Sequence, residues 1–405
     1  MLVVIFRLGT FIMLPGIDPT TFIAQSEGIL ARLDTILGGS FKQASIFSLG
    51  IYPYITASIM VQLMGVSFPY FQRMQKEGAA GRQKLNEITR RAVLILAPIQ
   101  ALGYAINMRN AATLIPKYQF FLLTVVLLTA GSMACLWLSE RITDKGIGNG
   151  SSILITAGIL SSLPIAIAKE LKMLGSEKTF VFVAEIAILL LIIAIIVNFM
   201  QGVRKIPLQR ALQVVQANRY YQGRREYIPI KMNAPGVMPI IAASILSSVP
   251  RLLAHALRNK SDIAASIASI MKDRYGWQYN LWLSMLIILS TFFYTAIFVN
   301  PVEISDNLRR ENAFIPGVKP GSPTAKYISA ILDRITLPGS LFLGLIAALP
   351  ALAHHAGISA EFSEFFGGTS LIIIIGVMTE LTDQISSHLF VSDYDSFIEN
   401  KDIIS

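Results

Sequence analysis

GGSFKQASIFSLGIYPYITASIMVQ, residues Gly38–Gln62, is the stretch on which the fold turns. Its first part, Phe41–Phe47, reads as a short, half-polar helix too small to cross a bilayer. The chain then breaks at Ser48–Gly50 and restarts at Pro53 as a strongly apolar helix. Proline suits a first helical turn, where its missing N–H would be unpaired anyway. Ile51 and Ile55 are four apart and share one face of the new helix. A small element hinged at Ser48–Gly50 onto a membrane helix fits the stopper of a pore.

The composition agrees with a membrane setting. The 405 residues are 53% hydrophobic and 15% charged, with mean hydropathy +0.58; a soluble domain carries about 25% charge. Apolar runs approach the roughly 20 residues that cross a ~30 Å hydrocarbon core. The N-terminal MLVVIFRLGTFIML has neither a basic leader nor a small-residue cleavage site, so no cleavable signal is expected. Cys135 is the single cysteine and sits in an apolar run, which excludes an intrachain disulfide and reads as a buried thiol.

Ten spans are expected, near residues 2–14, 51–67, 92–108, 118–138, 151–168, 180–200, 236–257, 281–299, 337–352 and 369–390. Glycine and proline punctuate many of the boundaries, as at Pro15-Gly16, Gly146–Gly150 and Pro235-Gly236. The connections after spans 2, 4, 6 and 8 carry 6, 2, 7 and 5 Lys/Arg. The excess sits mainly after spans 2 and 6, and the positive-inside rule then makes that side cytoplasmic, with both termini on it. Ten spans divide into two fives, 1–170 and 171–405, and an odd number per half obliges the second to run opposite to the first. That permits an inverted repeat around a central site or pore. The fold class expected is an all-α polytopic membrane protein of two pseudo-symmetric inverted halves, with a short plug helix before span 2.

Three connections are long and basic: 68–91, 201–235 and 300–336. The second holds Arg204, Lys205, Arg210, Arg219, Arg224, Arg225 and Lys231 against one acid, Glu226, with Tyr220, Tyr221 and Tyr227 interleaved. Charge alone leaves two readings open: segments lying on anionic lipid headgroups, or a docking surface for an acidic or RNA-containing partner.

Enzyme chemistry finds little support. His255, His354, His355 and His388 form no metal-ligand spacing with cysteine or carboxylate, and no phosphate-binding loop pattern occurs. GIGNG at Gly146–Gly150 follows a membrane helix instead of a strand and reads as a flexible lead into span 5. No catalytic residue, metal or cofactor is expected. Ion-coupled pumping calls for charge within the membrane, and only Glu185, Glu380 and Asp383 fall inside spans 6 and 10. Gln62, Gln100, Asn107 and Asn198 are neutral and suited to helix–helix hydrogen bonds. Isoleucines recur where spans begin, and an apolar constriction of that kind would gate by dewetting.

Seven ordered blocks carry a resemblance: GGSFKQASIFSLGIYPYITASIMVQLM, KEGAAGRQKLNEITR, ITDKGIGNGSSILI, QGRREYIPIKMNAPGVMPII, FFYTAIFVNP, NLRRENAFIPGVKPG–TAKYI and FGGTSLIII. The chain resembles the SecY family, the channel subunits of the bacterial protein translocon. The resemblance implies a multi-pass protein of the bacterial cytoplasmic membrane that passes unfolded secretory polypeptides across and releases membrane segments sideways. The family plug maps to Ser40, Phe41, Ala44, Ser45, Ile46 and Phe47. Its pore ring maps to Ile51, Ile55, Ser151, Ile155, Ile241 and Ile373, with serine at 151 where the family usually has isoleucine. The lateral gate, between spans 2–3 and 7–8, takes Gln62 and Gln100. Docking of a ribosome or of the SecA motor falls to Arg204, Lys205, Arg224, Arg225 and Lys319, and Lys319 replaces the usual arginine, losing its bidentate fork. Further partners implied are the small subunits SecE and SecG, signal sequences and nascent polypeptides, and anionic lipids. Two rival readings are a five-plus-five secondary transporter and a membrane-insertion scaffold without an aqueous pore.

Overall fold

The computed structural model describes residues 1–17, 44–108, 116–174, 179–210, 226–257 and 273–402. In chain order its elements are helices α1 (Leu2–Gly9), α2 (Tyr52–Ser67), α3 (Pro69–Lys76), α4 (Ala79–Asn107), α5 (Lys117–Lys145), α6 (Gly150–Leu174) and α7 (Thr179–Met200). Strands β1 (Val203–Arg210) and β2 (Glu226–Lys231) follow, then α8 (Met238–Leu257), α9 (Trp277–Phe298) and α10 (Pro301–Arg310). Strand β3 (Ala313–Phe314) precedes α11 (Ser322–His355), α12 (Ala360–Ser363) and α13 (Gly368–Asp402). Among the described residues six helices are long and apolar enough to cross a membrane, and up to seven when the bent pair α2–α3 is taken as one.

Every expected span meets a helix, but the first does so only in part. Helix α1 stops at Gly9, about 12 Å of rise and well short of a bilayer. Arg7 brings a charge into its last turn, and Thr10 Oγ–H folds back onto the Arg7 carbonyl at 2.7 Å. Beyond it Met13 leaves helical geometry to form an antiparallel bridge with Ser45. The helix expected over Phe41–Phe47 is likewise absent from its described part. Ala44–Gly50 is a series of turns, with Ala44 and Gly50 at φ 45° and 46°, a region that interrupts a right-handed helix.

The chain separates into two compact units, Met1–Lys169 with Glu380–Ser405, and Glu170–Thr379. In the first, α2 and α4 pack on α5 through Ala57, Val93, Ala97 and Leu136, with Tyr54, Leu96 and Met133 around them. Small residues on facing helices allow the close approach that replaces hydrophobic drive in lipid. Helix α2 carries Pro53 in its first turn as expected, and at Phe68 the chain turns by 105° into α3. Gly65 leaves room for the Gln75 side chain at that corner.

The second unit is built on Ile196, Met200, Ile240, Ala243, Ile287, Leu343, Ile346 and Ile372 from α7, α8, α9, α11 and α13. Ser284 of α9 donates to the Gly344 carbonyl of α11 at 2.8 Å, and Phe199 lies on Phe342 with ring centroids 4.1 Å apart. One end of the unit is stitched by polar groups. Arg274 pairs with Glu364, Tyr275 stacks on His354 at 3.9 Å, and the Tyr275 hydroxyl donates to the Ala360 carbonyl. Ser359 N–H donates to Glu170 at 3.0 Å. Burial alone would lower the Arg274 pKa, but Glu364, with Tyr279 and Tyr275, holds it above the ordinary arginine value.

A three-stranded antiparallel sheet, ordered β2-β1-β3, occupies the long basic connections that the sequence left as loops. One face buries Ile206, Leu208 and Ile230 against Leu308, Ile315, Ile328 and Leu332 of α10, its following turn and α11. Pro207 is accommodated because β3 reaches only Gln209 and Arg210, leaving β1 paired on one side at that point.

The Arg274–Glu364 pair makes a direct stability test. Arg274→Met strands a carboxylate and should destabilise by less than the ~3–5 kcal/mol of a fully buried pair, since both partners keep some exposure. Thermal unfolding in detergent should show a fall of several degrees, partly recovered by adding Glu364→Leu.

Candidate pore, gate and docking elements

The six candidate pore residues all lie within the first two turns of a helix. Ile51 is the N-cap of α2, and Ile55 N–H donates to its carbonyl at 3.1 Å. Ser151 and Ile155 share one face at the start of α6, Ile241 is the fourth residue of α8, and Ile373 the sixth of α13. All are buried, from 1% exposed at Ile373 to 6% at Ile55, Ser151 and Ile155. The first unit holds four of them and the second Ile241 and Ile373.

The GIGNG lead into α6 is a fixed corner, not a flexible one. Gly148 adopts φ +85°, and a Cβ on Gly150 would stand 1.9 Å from the Ser139 carbonyl oxygen of α5. Gly150 N–H donates to Thr143 Oγ at 2.9 Å, and Ser151 N–H to Asn149 Oδ1 at 3.0 Å. These bonds satisfy amides that the helix itself leaves open. Ser151 Oγ–H also turns back to Asn149 Oδ1 at 2.6 Å.

Of the candidate plug residues, Ser40 and Phe41 lie outside the described residues. Ala44 and Ser45 are 3% and 0% exposed, and Ile46 and Phe47 are half-buried. Of the two candidate gate glutamines, Gln100 bridges α4 to α2 and Gln62 bonds within α2. Gln100 of α4 donates to Thr56 Oγ of α2 at 3.3 Å, and Gln62 donates to Ser58 Oγ within α2 at 3.2 Å. Both side-chain carbonyl oxygens are buried without a hydrogen-bond partner among the described residues. An orphaned buried acceptor of this kind costs about 1–3 kcal/mol. Thr56 and Ser58 are the residues that sequence reasoning missed; their i, i+4 and cross-helix placement beside glutamine was the available signal.

Arg204 and Lys205 stand exposed on β1, and Lys205 Nζ lies 4.8 Å from the Tyr227 ring centroid on β2. Tyr227, Pro229 and Lys231 pair across from Pro207, Lys205 and Val203, so strand alternation gathers Val203, Lys205, Tyr227 and Lys231 on the face opposite the buried core. Lys319 projects from a turn held by Thr324 Oγ–H on its carbonyl, at 2.9 Å, and by Ser305 Oγ–H on Gly321, at 2.8 Å. Arg224 and Arg225 lie outside the described residues. Among the described residues no group of three His, Cys, Asp or Glu is placed to hold a metal.

Comparison with known proteins bears on these elements together. The family model for SecY matches residues 45–382. The chain is 37% identical to the protein translocase subunit SecY of Streptomyces coelicolor, over 98% of this chain and 94% of that protein. It is 38% identical to the SecY subunits of Aquifex aeolicus and Staphylococcus carnosus, with the same coverage. Among solved structures it resembles a SecY described as having a plug domain that stabilises the closed state of the translocation channel and maintains a membrane seal. That likeness has TM-score 0.67 and 17% identity over 95% of this chain and 90% of the other. Canine Sec61 from a ribosome–channel complex aligns with TM-score 0.64 and 16% identity over the same shares. The fold is that of these channels, and with a family match across most of its length the chain belongs to the SecY family.

Proposed function

We propose that this protein is a protein-conducting channel, passing unfolded polypeptides across a membrane and releasing membrane segments sideways into lipid. One observation carries the reading beyond family membership: all six ring candidates are buried at helix starts, two of them in the turns that directly follow the plug segment. A ring of Ile51, Ile55, Ser151, Ile155, Ile241 and Ile373 would close around no permanent charge and hold back ions by dewetting. The plug is assigned within the stretch Ser40–Phe47, and the lateral gate to the helices bearing Gln62 and Gln100. The two halves, 1–170 and 171–405, would hinge about this pore.

The channel is passive, and a docked partner supplies the energy. The exposed β1–β2 face with Lys205, Tyr227 and Lys231, together with Arg204, Arg224, Arg225 and Lys319, offers cations for RNA phosphates or acidic side chains. A ribosome, as in the canine complex, or the ATP-hydrolysing SecA motor fits that surface, with SecE and SecG as small membrane subunits. The setting is a bacterial cytoplasmic membrane, with anionic lipid beneath the basic face and both termini on the same, cytoplasmic side.

Photocrosslinkers at Ile55 and Ile241 should trap an arrested secretory chain in transit. Crosslinks appearing only from lipid-facing positions such as Val126 would defeat the pore assignment. Gln100→Leu removes an orphaned oxygen and one long hydrogen bond, so the α2–α4 packing on one side of the gate should gain about 1 kcal/mol. Thermal unfolding in detergent should then rise by about one to three degrees, and an unchanged or lowered midpoint would count against the orphaned oxygen as a cost.

A further inference from the structure

The sequence reads Ser48–Gly50 as a hinge, yet the packing there has the opposite character. Ser45 and Ser48 are 0% exposed and Leu49 3%. Ser48 donates from both N–H and Oγ–H to the Ser45 carbonyl, at 3.0 and 2.7 Å. Gly50 N–H reaches Phe47 O at 2.9 Å, and Tyr52 N–H reaches Leu49 O at 3.0 Å. Hinges and lids are drawn instead from lightly packed segments of low local stability.

This segment is clamped from two directions. On one side the chain after α1 runs antiparallel to it: Leu14 N–H donates to Ala44 O at 2.8 Å and Ile46 N–H to Ile12 O at 2.9 Å, flanking the Met13–Ser45 bridge. Phe47 stacks on Phe6 at 6.1 Å with planes 10° apart, in space that exists because residue 9 is glycine; a Cβ there would stand 2.1 Å from the Phe47 ring. On the other side Ile46 lies against α5 at Gly131, where a Cβ would stand 2.2 Å from the Ile46 carbonyl oxygen. Leu14, Ala44 and Leu49 share one buried cluster with Ala101, Tyr104 and Leu128.

We infer that Ala44–Gly50 is a fixed collar that stays clamped between the end of α1 and α5 while the channel conducts. Gly9 and Gly131 act as its positioning residues. Ala44–Phe47 therefore take no part in plug displacement, and Ile51 and Ile55 keep their place because the residues feeding the N-cap of α2 do not move. The inference rests on the channel reading and narrows which residues gate it.

The test uses Met13→Cys with Ser45→Cys in a Cys135→Ala background, in the full channel with its partner subunits in membrane vesicles. Flanking hydrogen bonds make Met13 and Ser45 the closer kind of antiparallel pair, about 4.5 Å between Cα atoms and within disulfide reach. The cross-link should form at rest on oxidation, and translocation of a secretory precursor should stay within about two-fold of the reduced sample. Loss of translocation on oxidation with return on reduction would overturn the collar, as would failure to cross-link. If the parent and the reduced double-cysteine protein both fail to translocate, the channel reading itself falls and the collar with it. A second readout is resting ion conductance. Gly131→Ala presses on the Ile46 carbonyl and should leak several-fold more than Gly103→Ala, whose Cβ meets nothing within 4 Å. Equal conductance of the two variants would count against the collar.

Discussion

A helix that starts inside or beside hydrocarbon has amides with no intrahelical partner and no water to take their place. The protein answers this constraint locally at several helix starts. Before α2, a run of tight turns hands Tyr52 N–H to Leu49 O, and Pro53 removes one donor altogether. Before α6, Thr143 and Asn149 accept from Gly150 and Ser151, and the Asn149 carbonyl takes Ile153 N–H at 3.0 Å. Before α10, Asn300 Oδ1 accepts from Val302 and Glu303, with Pro301 between. Ile51, Ile55, Ser151 and Ile155 sit within the turns so capped, and there the need to satisfy backbone groups also fixes where the side chains stand.

That constraint explains why the helices were legible in the sequence. Uniformly apolar runs with Gly, Pro and Asn between them leave few alternatives; α2, α7 and α9 begin and end within a few residues of their expected positions, while α5 runs on to Lys145, seven residues past its expected end. Elements defined by long-range pairing were not legible. The β1 strand reads VRKIPLQR, in which Ile206 and Leu208 are buried and Val203–Lys205 are exposed. Two apolar residues among cations look like a solvated loop until Leu308, Ile315 and Ile328, more than a hundred residues away, supply the opposing core. The turns at Ala44–Gly50 were hidden for a similar reason. Their sequence suits a helix locally, and only pairing with Ile12–Leu14 overrides that preference.

The glutamines and the caps put polar atoms to contrasting use in the same unit. At α6 the Gly150 and Ser151 amides and the Ser151 hydroxyl each have a partner, and the corner is fixed. On α2 and α4 the carbonyl oxygens of Gln62 and Gln100 are left over among the described residues, and Gln100 reaches Thr56 by a long 3.3 Å bond. An interface with orphaned acceptors separates at lower cost than one sealed by alanine and leucine, because opening lets those oxygens find donors. Both helices stand on one side of the proposed gate, so this unmet polarity loosens that side's own packing, which the apolar cluster around Ala57 and Ala97 holds together.

Ser151 is the remaining departure, and its geometry decides what kind of departure it is. A serine among isoleucines would ordinarily wet a dewetted constriction. Here its hydroxyl proton is directed 2.6 Å back to Asn149, and the same oxygen of Asn149 takes the Ser151 N–H. With its donor spent on the cap, the side chain presents a small, nearly methylene surface, and Ile155 one turn further along supplies the bulk on that face. The proposed ring is therefore loosened at 151 by missing volume more than by added polarity. Volume can be made up by neighbours that are held still. The clamped residues that lead into Ile51 give this ring two isoleucines whose backbone position is set before α2 begins, and a seal short of one large side chain depends on them the more.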